Sequence, residues 1–304
     1  MYRTILVGID SHEQSRDALA FARLIASRTG ARLIAAHVYA GGWPYTYPAD
    51  PNWDAELRRL SMDVVANALA GGPGDEEAAA VGSSSPAHGL HELAEREHAD
   101  LIVVGSAHRG KLGRLMAGST GRSLLNGAAC AVAVAPSGFA GRTDAKLETI
   151  GVAYDGRAES EVALTGAVDL AQSVGARLAL ITLVYPPDRM FAPAPLANYD
   201  VDKLLESLTE KMEAAQERAV ARIPVGLDCE RRVYGDPTIA LVDVENIDLM
   251  LMGSRNYGPL KRVLVGSLAQ SLITEGPWPI IVFPRGNEGE AGEEKGVVAL
   301  EEAR

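Results

Sequence analysis

Short apolar runs alternate along the chain with apolar stripes at helical spacing. Residues 5–7 read Ile-Leu-Val, which is typical of a buried strand because such strands are short, apolar and β-branched. A helical stripe follows at 18–26, and Gly30 stands where a left-handed residue ends a helix most easily. We place the cap of this first helix at Ser11. Continued to residue 135, the pattern predicts five strands, at 5–9, 33–38, 78–83, 101–104 and 130–135.

The chain contains this pattern twice. Residues 4–10 match residues 149–155 at an offset of 145, including the closing aspartates Asp10 and Asp155. Other segments recur at an offset of 148: Gly105-Ser106 as Gly253-Ser254, Gly118-Ser119 as Gly266-Ser267, and the strand before Pro136 as the strand before Pro284. Matches that keep their order over a whole half indicate two copies of one domain.

The repeat predicts the domain boundaries. We place domain 1 at residues 1–142, domain 2 at 143–286 and an acidic tail at 287–304. The joint, near 137–147, contains Ser, Gly and Thr and is typical of a loop. The tail has six Glu against two basic residues, so we expect it to be solvated or disordered.

Alternating strands and helices predict a parallel sheet with right-handed crossovers and helices on both faces. Five such strands commonly wind in the flavodoxin-like order 3-2-1-4-5. The predicted fold class is therefore α/β, with two tandem copies of a five-stranded, doubly wound parallel sheet. The fifth strands, 130–135 and 279–283, would lie at sheet edges, where apolar strands tend to pair. We expect these edges to pair across an internal pseudo-twofold, so that the single chain is a pseudo-dimer. The sequence leaves open whether the chain also forms a higher homo-oligomer.

Composition excludes several classes of protein. The 304 residues carry 40 acids and 29 bases, a net charge of −11, which argues against binding to nucleic acid. The apolar runs are too short to span a bilayer, so we expect no membrane association. The first residues lack the plan of a signal peptide, and the two cysteines form no disulfide framework. We therefore expect a cytoplasmic protein.

The candidate functional residues lie where the predicted strands 1 and 4 end. In the predicted order their carboxyl ends lie side by side, at the switch point where such folds bind ligands. Asp10 and Asp155 end the first strands, and Gly118-Ser119-Thr120 stands at a loop-to-helix junction whose free amides suit a phosphate. Each feature alone is commonly a cap or a turn residue. Their joint recurrence in both halves favours nucleotide binding, as do the basic residues of the intervening loops, Arg109, Lys111, Arg114, Arg255, Lys261 and Arg262.

These residues resemble the universal stress protein family over nearly the whole chain except the tail. The resemblance implies binding of ATP or a related adenine nucleotide in some members, and Mg²⁺ can accompany the nucleotide. It implies that Asp10 and Asp155 contact ribose or adenine, that Val38 and Leu183 offer backbone to adenine, and that Thr120 and Leu268 border the phosphates. The predicted binding residues are Asp10, Val38, Gly105, Ser106, Gly118, Ser119, Thr120, Asp155, Leu183, Gly253, Ser254, Gly266, Ser267 and Leu268.

One departure from the family pattern leaves the state of both sites open. ATP-binding members have a middle glycine in the loop, and here His108 and Asn256 replace it. Both residue types are enriched among non-glycine residues at positive φ, so the turn can still form. Their side chains would nevertheless lie in or beside the phosphate space, and His108 is the bulkier of the two.

Three functions remain open. The first is a nucleotide-binding sensor or regulator in the stress response. The second is a slow nucleotide hydrolase or transferase, which would need a magnesium-binding carboxylate, with Asp10 and Asp155 as the candidates. The third is a ligand-free interaction protein with degenerate pockets. No serine elbow, P-loop or repeated nucleophile–base pair is present in the sequence, so we expect no catalytic residues and no resident metal.

Overall fold

The fold is known from a computed structural model, which describes residues 2–41, 51–107, 118–125, 127–184, 201–234, 244, 246–254 and 276–284. The strands are β1 (Thr4–Gly8), β2 (Arg32–Ala40), β3 (Glu77–Ser83), β4 (Leu101–Gly105), β5 (Ala131–Ala135), β6 (Thr149–Ala153), β7 (Arg177–Leu183), β8 (Cys229–Tyr234), β9 (Leu249–Gly253) and β10 (Ile280–Phe283). The helices are α1 (Gln14–Thr29), α2 (Pro51–Leu69), α3 (Pro86–Arg96), α4 (Ser119–Leu125), α5 (Ala158–Val174) and α6 (Val201–Val220), with a 3₁₀ turn at Phe139–Gly141. The predicted acidic tail and the basic loops lie outside the described residues.

All ten strands form one sheet, in the order β3-β2-β1-β4-β5-β10-β9-β6-β7-β8. Within each half the order is 3-2-1-4-5 and the pairing is parallel, which confirms the predicted fold class. Strands β5 and β10 pair antiparallel, with Val134 opposite Ile280 and Val132 opposite Val282. The predicted pairing of the fifth strands is therefore present, and it relates the two halves by a pseudo-twofold.

The sheet is covered on both faces, as its apolar strands require. In β1, Ile5, Leu6 and Val7 have no exposed surface. Ile5 and Val7 pack into one layer of the core, while Leu6 packs into the other with Ile102. Burying such a side chain completely stabilises the fold by roughly 1.5–3 kcal/mol relative to leaving it exposed.

The helix ends follow the local sequence. Gly30 and Gly175 end α1 and α5 in the left-handed conformation, with φ of 70° and 72°. The amide of Gly30 donates to the carbonyl of Ala26 at 2.8 Å, which satisfies an otherwise free carbonyl of the last turn. At the start of α3 the Ser85 side chain accepts from the His88 amide, and Pro86 follows it in the first turn.

The predicted cap of α1 is wrong. The helix begins at Gln14, and Ser11 lies in the turn before it. The reason is a side-chain network from Asp10, whose carboxylate accepts from the His12 amide at 2.9 Å and from the Ser15 hydroxyl at 2.6 Å. The Ser15 hydroxyl in turn accepts from the Asp10 amide at 2.7 Å. This network holds an extra turn between β1 and α1.

The joint between the repeats is part of the core rather than a simple loop. Phe139 is 4% exposed and meets Phe21 edge-on, with 5.4 Å between ring centroids. The carboxylate of Asp17 accepts from the amides of Gly138 and Ala140 at 2.9 and 2.8 Å. The Arg142 guanidinium donates to the Pro277 carbonyl at 2.8 Å. The joint thus packs on α1 of the first repeat and bonds to the second.

Among the described helices, none is both long enough and apolar enough to cross a bilayer.

Replacing Phe139 with alanine tests the structural role of the joint. Loss of this buried ring should lower the free energy of unfolding by about 3–5 kcal/mol, the usual cost of truncating a core aromatic. Trp53 is 66% exposed, so Trp53→Ala is a matched control that should change the free energy by less than about 0.5 kcal/mol. Urea titration followed by circular dichroism measures both. Equal and small effects of the two substitutions would contradict the role assigned to Phe139.

Candidate functional site

A cavity of about 500 Å³ opens at the switch point of the first repeat. Strand β1 lies between β2 and β4 there, so the loops that follow β1 and β4 face each other. All seven residues that the sequence predicts for the first copy line this cavity. They are Asp10, Val38, Gly105, Ser106, Gly118, Ser119 and Thr120.

Gly105 has a packing role that is independent of any ligand. A Cβ at this position would collide with the carbonyl oxygen of Gln14, the first residue of α1. The matching Gly253 has the same role, since its Cβ would collide with the carbonyl oxygen of Glu159 in α5. In both repeats, therefore, the fourth strand ends against the start of the first helix, and only glycine allows that approach.

Gly118 is in a different situation. The nearest atoms to a Cβ built there are Cα and Cβ of Ala107, at 3.7 and 3.8 Å, which is ordinary contact. The residue stands directly before α4, and its carbonyl accepts from the Arg122 amide at 2.8 Å. The loop-to-helix junction predicted at Gly118-Ser119 is therefore present. Among the described residues, packing therefore does not require a glycine at this half-buried position.

Asp10 is held as an oriented carboxylate at the mouth of the cavity. Its side chain is 51% exposed and lies 3.2 Å from Nδ1 of His12. Partial burial raises the pKa of Asp10, but the hydrogen bonds from Ser15 and from the His12 amide outweigh it, and the net pKa is below the ordinary value. The group is therefore ionised at neutral pH and can accept hydrogen bonds from a ligand on its open side.

His37 adds a second titratable group to the cavity wall. Its Nδ1 is buried and has no hydrogen-bond partner among the described residues. Burial lowers the pKa of His37, although the nearby Asp10 opposes that shift. The imidazole is therefore neutral at pH 7, and the residue directly precedes Val38 in the wall of the cavity.

The second repeat is described in part. Asp155 is half-buried two residues after β6, and its carboxylate accepts from the Arg157 amide at 3.1 Å. Leu183 ends β7, Gly253 ends β9, and Ser254 follows it with 1% exposure. The other predicted residues, Gly266, Ser267 and Leu268, lie outside the described residues, as do the substituted loop positions His108 and Asn256.

The position that matches His37 is different in the second repeat. Thr182 stands there at the same offset of 145. Its hydroxyl donates to the Tyr154 carbonyl and accepts from the Gln216 amide at 2.8 Å. This side chain is satisfied within the protein, whereas His37 keeps a nitrogen without a described partner. The two switch points are therefore chemically unequal.

Sequence reasoning missed several lining residues. Ser15 contacts Asp10, and the matching Ser160 accepts from the Asp155 amide at 3.4 Å. An aspartate followed five residues later by serine recurs in both copies, so this signal was available. Arg122 also lines the cavity, on the first turn of α4. Its counterpart at the offset of 148 is Gln270. Because the two residues differ, comparison of the repeats could not identify Arg122.

Among the described residues, no group of three or more His, Cys, Asp or Glu side chains is arranged to hold a metal ion.

The doubled 3-2-1-4-5 sheet with a cavity at the switch point defines a tandem flavodoxin-like α/β protein. The model of the universal stress protein family matches residues 1–136 and again residues 146–284. The chain therefore belongs to the universal stress protein family, in its tandem form.

Relatives cover both the whole chain and one repeat. Universal stress protein Rv2005c of Mycobacterium tuberculosis is 27% identical over 293 residues, which is 91% of this chain and 96% of the relative. A universal stress protein of Thermus aquaticus is 32% identical over 139 residues, which is 45% of this chain and 98% of that protein. A crystal structure of a universal stress protein from Archaeoglobus fulgidus covers 94% of this chain and 97% of its own, with a TM-score of 0.60 at 18% identity.

Gly105→Ala tests whether this glycine is required by packing. Forcing a methyl group against the α1 carbonyl should lower the free energy of unfolding by about 1–3 kcal/mol, the usual cost of overpacking. No atom of the described residues lies within 4 Å of a Cβ at Gly141, so Gly141→Ala serves as the control and should leave stability unchanged. Thermal and urea unfolding compare the two. A Gly105→Ala protein as stable as the control would contradict the packing role.

The lowered pKa of Asp10 predicts a pH dependence. Such a group stabilises the fold fully above its unfolded pKa, which is about 3.9, and this contribution disappears as pH falls through the lower folded value. The stability difference between the parent protein and Asp10→Asn should therefore be constant above about pH 5 and shrink toward pH 2.5. Urea titrations across that range measure it. A difference that is independent of pH would show that the Asp10 charge adds nothing to the turn.

Proposed function

We propose that the protein is a sensor or regulator in the stress response that binds ATP or a related adenine nucleotide in the first-repeat cavity. The observation that carries the proposal is the convergence of Asp10, Val38, residues 105–106 and residues 118–120 on one cavity. These segments are far apart in the chain, and their grouping follows from the strand order. A volume of about 500 Å³ lies within the range of sites for small organic ligands.

The chemistry of the wall suits the parts of a nucleotide. Val38, two residues before the end of β2, would offer backbone groups to the base, with Leu90 of α3 as an apolar neighbour. The oriented carboxylate of Asp10 would accept from the ribose hydroxyls. The backbone of Gly118 and the hydroxyls of Ser119 and Thr120 would approach the phosphates. Arg122 would add positive charge one turn along α4.

Binding is better supported than hydrolysis. Asp10 is the one acidic side chain among the described residues that line the cavity. Its carboxylate already accepts from Ser15 and His12, on the ribose side of the expected ligand. A hydrolase would need a carboxylate that positions Mg²⁺ at the phosphates. We therefore propose a sensor without catalytic residues, and Mg²⁺ would enter only as the companion of the nucleotide.

The two repeats would not contribute equally. We propose the first repeat as the nucleotide site and the second as the weaker one, because Thr182 is satisfied internally, whereas Nδ1 of His37 has no partner among the described residues. The proposed domain boundaries stay at residues 142 and 286, and we propose a cytoplasmic location.

Titration of the full chain with ATP tests the proposal. Calorimetry and thermal shift should show saturable binding, and adenine nucleotides should bind better than GTP. Gly118→Val should abolish first-repeat binding, because its side chain would occupy the space next to the phosphates, whereas a Cβ there meets only Ala107 among the described residues, at ordinary contact distance. The matched variant Gly266→Val alters the second repeat and should leave the stronger binding in place.

Two results would overturn this function. If millimolar nucleotide produces neither heat nor a thermal shift, the result favours the ligand-free interaction protein. Steady phosphate release from ATP that is lost in Asp10→Ala combined with Asp155→Ala would favour the hydrolase instead. Circular dichroism of each variant establishes that a loss of binding is not a loss of fold.

A further inference from the structure

A second cavity, of about 650 Å³, lies along α1 of the first repeat. Helix α1 lines it with Ala20, Leu24 and Ser27, which share one face of the helix because they are four and three residues apart. The turn before β3, within residues 73–76, and the joint, within residues 139–145, also line it. Among the described residues it shares no lining residue with the nucleotide cavity. Its volume is in the range of sites for small organic ligands.

The joint lines this cavity because α1 offers an aromatic ring for it to pack on. Phe139 meets Phe21 edge-on, with an angle of 80° between the rings. In the second repeat, Gly166 stands at the position of Phe21. Phe283 stands where the first repeat has Ala135, so large and small residues are exchanged. The Phe283 ring lies directly over Gly166, since a Cβ there would collide with it. The ring that holds the joint on α1 is therefore particular to the first repeat.

Five charged residues occur in the described lining of this cavity, and three of them are paired within the protein. The Arg23 guanidinium donates to both carboxylate oxygens of Glu76 at 2.6 and 2.8 Å, and the Glu76 side chain is 3% exposed. Arg32 donates to the carboxylates of Glu77 and Glu97. The charges of Arg23, Glu76 and Arg32 are therefore compensated without a ligand.

The other two charged residues, Arg142 and Asp75, have no ion-pair partner among the described residues. Arg142 is half-buried, donates to the Pro277 carbonyl at 2.8 Å and lies over the Phe139 ring, 5.4 Å from its centroid. None of its nitrogens is both buried and without a partner, so its other N–H groups are accessible. Asp75 is exposed. The cavity thus presents one positive and one negative charge, on different segments, that a ligand can pair.

We propose that this cavity binds a linear zwitterion with an apolar middle, such as an ω-amino acid or a short apolar peptide. Its carboxylate would accept from the Arg142 guanidinium, whose planar fork suits a carboxylate. Its ammonium group would lie beside Asp75. Between the two charges, its apolar middle would pack on the half-buried side chains of Ala20, Leu24 and Ala145. A ligand with a single charge would leave one charge of the wall unpaired.

Titration of the full chain with ω-amino acids of four to twelve carbons, followed by saturation-transfer NMR and calorimetry, tests the proposal. We expect saturable binding with an optimum chain length, and 1 mM ATP should not displace the ligand. The amine of the same length, which lacks the carboxylate, should bind at least about tenfold more weakly, because it loses charged hydrogen bonds to Arg142. The carboxylate of the same length should bind about threefold more weakly, because Asp75 is exposed and its ion pairs are weak.

Two substitutions separate the two ends of the ligand. Arg142→Gln should weaken the zwitterion and the carboxylate and leave the amine unchanged, which also shows that the cavity is intact. Asp75→Asn should weaken the zwitterion and the amine and leave the carboxylate unchanged. Asp144→Asn is the matched control, because Asp144 is also exposed but is not among the residues that line the cavity.

Three results would overturn the proposal. The first is that no member of the series binds saturably. The second is that the zwitterion binds no better than its two singly charged analogues, or that Asp144→Asn weakens it as much as Asp75→Asn does. The third concerns residues 285–304, which carry six Glu against Arg285, Lys295 and Arg304. If the zwitterion binds only after those six Glu are replaced by Gln, the cavity belongs to the chain's own segment instead.

Discussion

The antiparallel pairing of β5 with β10 is the contact on which the rest of the molecule depends. Each repeat alone would expose an apolar fifth strand at the edge of its sheet, with unpaired backbone groups and a tendency to aggregate. The pairing satisfies those groups and places Ala133 opposite Ile281, both without exposed surface. It also lets α1 and α5 meet across the junction and makes one core layer continuous from Tyr2 to Phe283.

The direction of that pairing determines where ligands can approach. Because β5 and β10 run antiparallel, the strands of the second repeat run opposite to those of the first, and their carboxyl ends lie on opposite sides of the molecule. The two switch points therefore face away from each other, and a ligand at one cannot touch a ligand at the other. Any influence between them would have to pass through the sheet or through the packed joint around Phe139.

Much of the fold could be predicted from the sequence, because apolar periodicity and the repeat both report on burial. The strand order, the loop-to-helix junction at Ser119 and the pairing of the fifth strands follow from those signals. The start of α1 could not be predicted, because a side-chain network around Asp10 overrides the local preference for a cap at Ser11. Nor could the packing role of Gly105, since it depends on a carbonyl oxygen that is remote in sequence. The sequence was sufficient to predict that the candidate residues lie together, because the strand order determines their positions. It was not sufficient to identify Arg122, because the matching residue of the second repeat is not basic.

The exchange of Phe21 and Ala135 for Gly166 and Phe283 has a consequence for how such proteins can change. In a dimer of identical chains, every substitution appears twice, so a ring gained on one side of the axis is gained on the other. Fusion of the two copies into one chain removes that obligation and keeps the partners at high effective concentration. One side of the junction can then be filled by the connecting segment while the other has different side chains, and a symmetric assembly becomes a scaffold with two different faces.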